Sequence, residues 1–258
     1  MNTIRVCDST IRKLSNGKDN SLSFKEKLEV AKLLDKLCVD VIELDEIRSG
    51  KADSLLIKSV VTAVRNSIIA VPVALGTDPA PTAKALAEAK RFRLQVVAPG
   101  SSVRMEYVYH KKSAAIVEMV KSTVEECRKY TEDVELLIDD ATRGDMAVIS
   151  EMVNAAIEKG ATTVTFCDDA GTMLPEEFAT FLEERPSQSP TGGIRRISGR
   201  CCAAARGAGS SRNTPRRCAQ GWWQIPLWHW LRPSPRWRRA ASWPGYRLPG
   251  DTGPPPRP

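Results

Sequence analysis

Six acidic side chains each stand at or just beyond the end of a short apolar run, where a buried strand would end. They are Asp8, Glu43, Asp139, Asp140, Asp168 and Asp169. Charged groups at the carboxyl ends of parallel strands are where a barrel of alternating strands and helices performs its chemistry. Clustered carboxylates also offer the oxygen ligands that Mg²⁺ and Mn²⁺ accept. The pattern therefore indicates a polar site assembled from several strand ends.

The same acids have a second explanation, because a carboxylate after a strand can cap the helix that follows it. For Glu43 and Asp140 both explanations stay open. Asp8 favours the functional one, since Arg12 follows it after four residues and the next predicted helix begins only near Ser23.

Six β-branched or apolar runs alternate with amphipathic, helix-length segments over the first 184 residues. The predicted strands are Ile4–Cys7, Val39–Leu44, Ile68–Leu75, Leu94–Ala98, Val134–Ile138 and Thr162–Cys167. The predicted helices carry local signals, including a capping box at Ser23 and Glu26, a cap at Asp145 and a first-turn Pro175. A further helix is predicted over Pro81–Lys90. This alternation predicts an α/β fold with a parallel sheet covered by helices.

Two closures of such a sheet compete, a doubly wound open sheet and a (β/α)₈ TIM barrel. No glycine-rich GxGxxG loop follows the first strand, which argues against a dinucleotide-binding open sheet. The acids at the strand ends favour the barrel. We therefore predict a (β/α)₈ barrel truncated to about six β-α units, followed by an irregular or disordered tail. Such a barrel is expected to stay open and to leave the edges of its outer strands uncovered.

The charge of the chain changes abruptly after residue 184. Residues 1–184 hold 24 Lys+Arg and 30 Asp+Glu, whereas residues 185–258 hold 14 Arg, no Lys and one acid. The tail also holds all 6 Trp and 12 of the 17 Pro. Two domains are predicted: a partial barrel at 1–184 and an Arg/Pro/Trp-rich tail at 185–258.

The motifs within residues 1–184 resemble those of one known family. Residues 6–12, VCDSTIR, resemble the D-[ST]-T-[LI]-R signature of the metal-dependent barrels that include 2-isopropylmalate synthase, homocitrate synthase and the hydroxymethylglutaryl-CoA lyases. The similarity continues in residues 25–43, in DDATR at 139–143 and in DDAGTMLPEEF at 168–178. Several motifs in the family's order identify the segment as a member of this pyruvate carboxyltransferase-type superfamily.

The resemblance implies an activity and a role for individual residues. Asp8 would bind a divalent metal, Mg²⁺ or Mn²⁺, together with two histidines from an HxH motif. Arg12 would face the oxygen that becomes negatively charged, and Glu43, Asp139, Thr142 and Asp169 would line the same mouth.

The implied reaction is a Claisen-type condensation of the co-substrate acetyl-CoA with a 2-oxo acid in amino-acid biosynthesis. An aldol-type lyase acting on an acyl-CoA or oxo acid on the same barrel is the alternative. A complete barrel of this type would be expected to form a homodimer in the cytoplasm.

Two departures from the family pattern lead us to expect that this chain is inactive as written. The segment KLSNGKDN at 13–20 replaces the acidic D-G-E-Q that usually follows the arginine. No HxH motif is present, and the two histidines are His110 and His229. We expect His110 at the surface or behind the metal ligands rather than as a ligand, and His229 lies in the tail.

The tail itself has two explanations. Its arginines and tryptophans could bind RNA or anionic membranes. Alternatively, GC-rich codons read out of frame give this composition, and the abrupt junction inside an expected helix favours the frameshift. Nucleic acid is therefore not the expected partner. The sequence contains no apolar run of 18 residues, so no membrane span is predicted, and no secretory signal is recognised.

Overall fold

The computed structural model describes residues 5–14, 22–48, 50–183, 196–201 and 221–224. The chain divides into a unit of residues 1–226 and a second unit of residues 227–258. All of the described residues belong to the first unit. None of the helices in this described part is long and apolar enough to cross a membrane.

Six parallel strands follow one another in sequence order across the sheet. They are β1 (Arg5–Asp8), β2 (Val41–Glu43), β3 (Ile68–Ala74), β4 (Phe92–Pro99), β5 (Val134–Asp139) and β6 (Thr163–Asp168). Each strand pairs with the next along the chain, for example through Val96 beside Leu136 and Leu137 beside Thr165. This order, with helical connections, is that of a truncated TIM barrel, and the predicted fold is confirmed.

Eight helices and one 3₁₀ turn occur in the described part of the chain. The helices are α1 (Thr10–Leu14), α2 (Phe24–Lys36), α3 (Lys51–Ala63), α4 (Ala80–Ala85), α5 (Ser102–Tyr107), α6 (Ser113–Arg128), α7 (Met146–Glu158) and α8 (Pro175–Glu183), and the turn is Ala141–Arg143. The capping box is formed: Ser23 N–H donates to Glu26 Oε2 at 2.8 Å, and Glu26 N–H donates to Ser23 Oγ at 3.4 Å. Asp145 caps α7 as predicted, accepting from the N–H of Ala147 at 2.8 Å.

The hydrophobic core lies between the convex face of the sheet and the helices. Leu94, Val96 and Ala98 of β4 belong to it together with Ile116 and Val120 of α6. The alternate β4 residues Arg93 and Gln95 are also fully buried, which means that β4 is covered on both faces. Side chains of this second set fill the concave side of the sheet, beneath the predicted site.

The structure differs from the predicted elements at three places in the barrel. The short helices α1 and α5 were not predicted, and α4 ends at Ala85 rather than near Lys90. Helices of five or six residues are too short to show an amphipathic period, which explains why the pattern did not reveal them.

The tail contributes two strands where the sequence pattern predicted none. β7 (Arg196–Cys201) pairs parallel to β6, and β8 (Gly221–Gln224) pairs antiparallel to β1. The open edges of β1 and β6 present backbone N–H and C=O groups to any extended segment, whatever its side-chain pattern. The expectation that both edges stay uncovered is therefore wrong.

The sheet order is β7-β6-β5-β4-β3-β2-β1-β8. Cα atoms of β7 and β8 approach within 8 Å, although no ladder joins these two strands among the described residues. The rest of the predicted tail, including His229, lies outside the described residues.

Candidate functional site

A pocket of about 410 Å³ opens near the carboxyl ends of the first five strands. It combines three cations, three carboxylates and a tyrosine over a small apolar wall: Arg12, Lys13, Asp45, Glu46, Arg48, Pro72, Ala74, Val97, Tyr109 and Asp139. Two of the predicted site residues, Arg12 and Asp139, therefore line one cavity. Its location matches the barrel end where the strand-end acids predict a site.

Arg12 is held at the pocket by a buried carboxylate. Its Nη1 lies 3.5 Å from Oε2 of Glu43, whose side chain is 0% exposed, while the Arg12 side chain is 17% exposed. Gln95 Nε2 donates to Glu43 Oε1 at 2.8 Å. Because β4 reaches β2 across β3, these side chains meet inside the curl of the sheet. Glu43 is thus an ion-pair partner of Arg12, and the helix-capping explanation for it is wrong.

The polar contacts continue away from the pocket toward the amino-terminal ends of the strands. Gln95 Nε2 also donates to Glu135 Oε2 at 3.0 Å, and Arg93 Nη1 donates to the same oxygen at 3.2 Å. Arg93 Nε and Nη2 then donate to the two oxygens of Asp133, each at 3.1 Å. We call this set, from Arg12 to Asp133, the buried polar column.

Charge balance explains why an arginine can lie in the column. Burial alone would lower the pKa of Arg93, but the facing carboxylates of Glu135 and Asp133 outweigh it and raise the pKa of the guanidinium. Arg93 therefore stays charged and supports Glu135, which in turn fixes Gln95 beneath Glu43.

A second ion pair joins two strand-end acids. Arg104 of α5 donates through Nη1 to Asp139 Oδ2 at 2.9 Å, and its Nη2 lies 3.2 Å from Asp169 Oδ2. Ligand atoms of Asp139, Cys167 and Asp169 lie within 4.8 Å of one another. We call these three residues with Arg104 the bridged acid cluster. The structure brings Asp139 and Asp169 together as predicted and adds an arginine that the sequence did not reveal.

Asp140 is buried next to this cluster in a left-handed conformation, with φ of 58°. Burial would raise the pKa of its carboxyl, but hydrogen bonds from Arg143 and Ser101 outweigh burial and lower it. Ser101 Oγ donates to Asp140 Oδ2 at 2.6 Å, and the Asp140 N–H donates to Asp169 Oδ2 at 3.1 Å. No side-chain bond caps the following turn. Asp140 therefore anchors two loops, and helix capping is wrong for it as well.

Asp8 has local partners. Its carboxylate accepts from the N–H of Thr10 at 2.9 Å and from Thr10 Oγ1 at 3.2 Å. The helix after Asp8 begins at Thr10 rather than near Ser23, so the distance argument for a functional Asp8 is wrong. Among the described residues, the donor group suited to a metal does not include Asp8.

Thr142 is not among the residues that line the pocket. Its hydroxyl instead supports a neighbouring loop. Its Oγ1 donates to Asp168 Oδ1 at 2.8 Å. The buried Asp168 also accepts from the N–H of Met173 at 3.2 Å and from that of Thr172 at 3.3 Å. Asp168 therefore ties the loop before α8 to the end of β6, and Thr142 supports it.

The residues present do not fit the divalent metal that the resemblance implies. That site needs Asp8 and two imidazoles, but the Asp8 carboxylate accepts two hydrogen bonds from Thr10, and His110 is exposed at a left-handed φ of 52°. The alternative donors Asp139 and Asp169 already share a guanidinium.

Sequence reasoning missed Gln95, Glu135, Arg104 and Tyr109. For the first two a signal exists, since polar residues alternate with apolar ones along β4 and β5 and mark a polar inner face. The half-buried Tyr109 follows the short α5 and carries no such pattern. Burial raises the pKa of its phenol, and Asp139 raises it further while Arg104 opposes this.

Curated relatives share the sequence over the barrel segment. A 2-isopropylmalate synthase from Shewanella baltica is 33% identical over 183 residues, which cover 70% of this chain and 35% of that protein. A 2-isopropylmalate synthase from Aquifex aeolicus is 31% identical over 188 residues, covering 72% and 36%. The chain thus spans about a third of the length of these relatives.

Solved structures share the fold. The hydroxymethylglutaryl-CoA lyase from Pseudomonas aeruginosa has a TM-score of 0.56 at 18% identity, covering 72% of this chain and 63% of that one. The HMG-CoA lyase from Brucella melitensis has a TM-score of 0.60 at 15% identity, covering 77% and 72%. The HMGL-like family profile matches residues 3–190, close to the extent that the motifs predict. The chain therefore belongs to the HMGL-like family.

Proposed function

We propose that the pocket binds a 2-oxo acid and that the barrel is of the acyltransferase type, condensing such acids with acetyl-CoA. The observation that carries this proposal is Arg12, which lines the pocket and is held by a fully buried Glu43. The kinship to proteins named 2-isopropylmalate synthase supports the same reaction class.

The position of Arg12 suits an oxygen that gains negative charge. In the condensation, a base removes a methyl proton from the acetyl thioester, and the resulting enolate attacks the ketone carbon. The ketone oxygen then becomes an alkoxide. A guanidinium already fixed by Glu43 stabilises that charge without reorganising during the reaction.

The other pocket residues have complementary proposed roles. Lys13 adds a second cation that can receive the carboxylate of the oxo acid. Glu43 positions Arg12, and Asp139 is the carboxylate proposed to face the acyl donor. Thr142 acts indirectly, because it holds the Asp168 loop beside Asp169.

Binding of 2-oxo acids to the 258-residue chain tests this proposal. Isothermal titration with pyruvate and with a branched 2-oxo acid is compared between the parent chain, Arg12→Met and Arg48→Met. Loss of a charge-assisted hydrogen bond costs about 1.5–3 kcal/mol, so Arg12→Met is expected to weaken binding on the order of tenfold or more.

Arg48→Met is the matched control, since Arg48 lines the same pocket but is 59% exposed and pairs with Asp45 and Glu46. Its effect is expected to be less than about threefold, because exposed ion pairs contribute little. Equal losses in both variants, or no binding by the parent chain, would count against the proposal.

The lyase reaction is the second candidate, since solved structures with this fold are titled hydroxymethylglutaryl-CoA lyases. The reverse, aldol-type cleavage places negative charge on the same oxygen atoms, so Arg12 can stabilise that charge in either reaction. Assays of thiol release with acetyl-CoA plus oxo acid and of hydroxymethylglutaryl-CoA cleavage distinguish the two when they are made on a barrel completed by two further strand-helix units. Cleavage without condensation would favour the lyase.

A further inference from the structure

We infer that Arg104 occupies a position between Asp139 and Asp169 that a divalent cation could otherwise hold, so that the chain itself supplies the positive charge shared by these two carboxylates. The two carboxylates come from the ends of adjacent strands, and their Oδ2 atoms lie 2.9 and 3.2 Å from the two terminal nitrogens of one guanidinium. Two acids brought this close require a positive charge nearby, and Arg104 supplies it.

The local structure holds Arg104 in that position. The Arg104 N–H donates to Ser101 Oγ at 3.4 Å, and the same hydroxyl donates to Asp140 Oδ2 at 2.6 Å. Asp169 Oδ2, which receives Arg104, also accepts from the Asp140 backbone. The guanidinium and both of its partners are therefore tied to one network, and a metal ion would compete with a preformed contact.

The charge of Lys13 is an independent argument against a divalent cation at this site. The ammonium of Lys13 lines the pocket together with the guanidinium of Arg12. Asp139 lines the same pocket, so a divalent cation approaching it would meet the charges of Lys13 and Arg12. Like charges disfavour its entry.

Removal of Arg104 should convert the cluster into a metal site. Two carboxylates would then lack their shared cation, and Cys167 lies within 4.8 Å of both. A thiolate with two carboxylates suits Co²⁺ or Zn²⁺, and the thiol would release its proton when the metal binds. This inference concerns metal binding alone and does not depend on the proposed reaction.

The test is a Co²⁺ titration of the full chain, followed by the thiolate-to-cobalt charge-transfer absorption in the near ultraviolet. Arg104→Met is expected to bind Co²⁺ on the order of tenfold more tightly than the parent chain, since the competing charge is gone. The absorption band is expected in Arg104→Met and absent from Arg104→Met/Cys167→Ser. Arg104→Gln provides a second variant that keeps a polar side chain, and circular dichroism checks that each variant is folded.

Arg48→Met is the matched control, because Arg48 also pairs with two acids, Asp45 and Glu46. It is expected to bind Co²⁺ like the parent chain and to show no thiolate band. A parent chain that binds Co²⁺ with this band as tightly as Arg104→Met would overturn the inference. Folded Arg104→Met and Arg104→Gln variants that bind no more Co²⁺ than Arg48→Met would overturn it equally.

Discussion

At the scale of single residues, the buried polar column depends on Arg93. This side chain is fully buried and donates to Asp133 and Glu135. Arg93→Met is expected to lower the free energy of unfolding by about 3–5 kcal/mol, because it leaves the buried Glu135 and the partly buried Asp133 without their shared cation. Urea unfolding followed by circular dichroism measures this loss.

Arg91→Met is the control for this prediction, since Arg91 is exposed two residues away. It is expected to cost about 1 kcal/mol or less. Arg93→Lys, which keeps the charge but not the fork, should fall between the two. A loss in Arg93→Met no larger than in Arg91→Met would mean that the column does not stabilise the fold.

The sequence predicted part of this residue-scale picture. The strand-end rule selected Asp139 and Asp169, which the structure brings together through Arg104. The same rule could not distinguish Asp8 from Asp139 and Asp169. Asp8 bonds instead to Thr10, which lies in a short helix that the sequence pattern did not predict. Side-chain pairs such as Glu43 with Gln95 form across 52 positions of sequence, which no local pattern encodes.

At the scale of elements, α2 is joined to the start of β3 by one carboxylate. Asp35 is buried and accepts from the backbone N–H groups of Arg65, Asn66 and Ser67 at 3.0, 2.8 and 2.9 Å. Burial would raise the pKa of Asp35, but these hydrogen bonds outweigh it and lower the pKa. The ionised form is therefore the one that stabilises the fold.

This linkage predicts a pH dependence. Because the folded pKa lies below the unfolded value of about 3.9, the stabilisation is present above that value and is lost as the pH falls through the folded pKa. Asp35→Asn is expected to cost about 1–3 kcal/mol at pH 7 and less at pH 3. Urea midpoints between pH 3 and 7 measure the difference, and a constant difference would contradict the prediction.

Two loops at the site pack closely against each other at Gly100 and Gly144. A Cβ on Gly144 would collide with the carbonyl oxygen of Gly100, although the backbone of Gly144 is extended, with φ of −88°. Gly144→Ala is expected to destabilise the fold by about 1–3 kcal/mol by forcing these loops apart. Gly50→Ala is the control, with open space around it but a φ of +65°, and should cost about 1 kcal/mol. Thermal unfolding compares the two, and a smaller loss in Gly144→Ala would show that the loops can separate freely.

The six barrel strands were predicted to within two residues at every end, because each has a dense β-branched run and clear flanking helices. The tail strands β7 and β8 were missed for a physical reason. Their pairing is with the edges of β6 and β1 through backbone atoms, and backbone pairing at an edge demands no alternation of side chains.

At the scale of the whole molecule, six strand-helix units of the barrel are followed by a tail of different composition. Its strands β7 and β8 pair with the edges of the sheet at β6 and β1. The family match ends at residue 190, near the position where Lys disappears and Arg, Pro and Trp accumulate. A change of reading frame remains our interpretation of that junction. Reading the coding DNA around codon 184 in all three frames tests it, and the absence of a frame that continues with a strand and an HxH motif would contradict it.

The activity of the 258-residue chain follows from the same architecture. We expect no release of CoA from acetyl-CoA with any of several 2-oxo acids, with or without Mn²⁺. The strands that join β6 and β1 carry no histidine, and catalysis requires groups positioned within about 1 Å. A chain continued in a frame that supplies two complete strand-helix units is expected to release CoA, since it closes the barrel around Arg12 and Asp139. Mn²⁺-dependent release by the 258-residue chain that disappears in Asp8→Ala would show instead that Asp8 is a metal ligand and that the tail strands complete a working site.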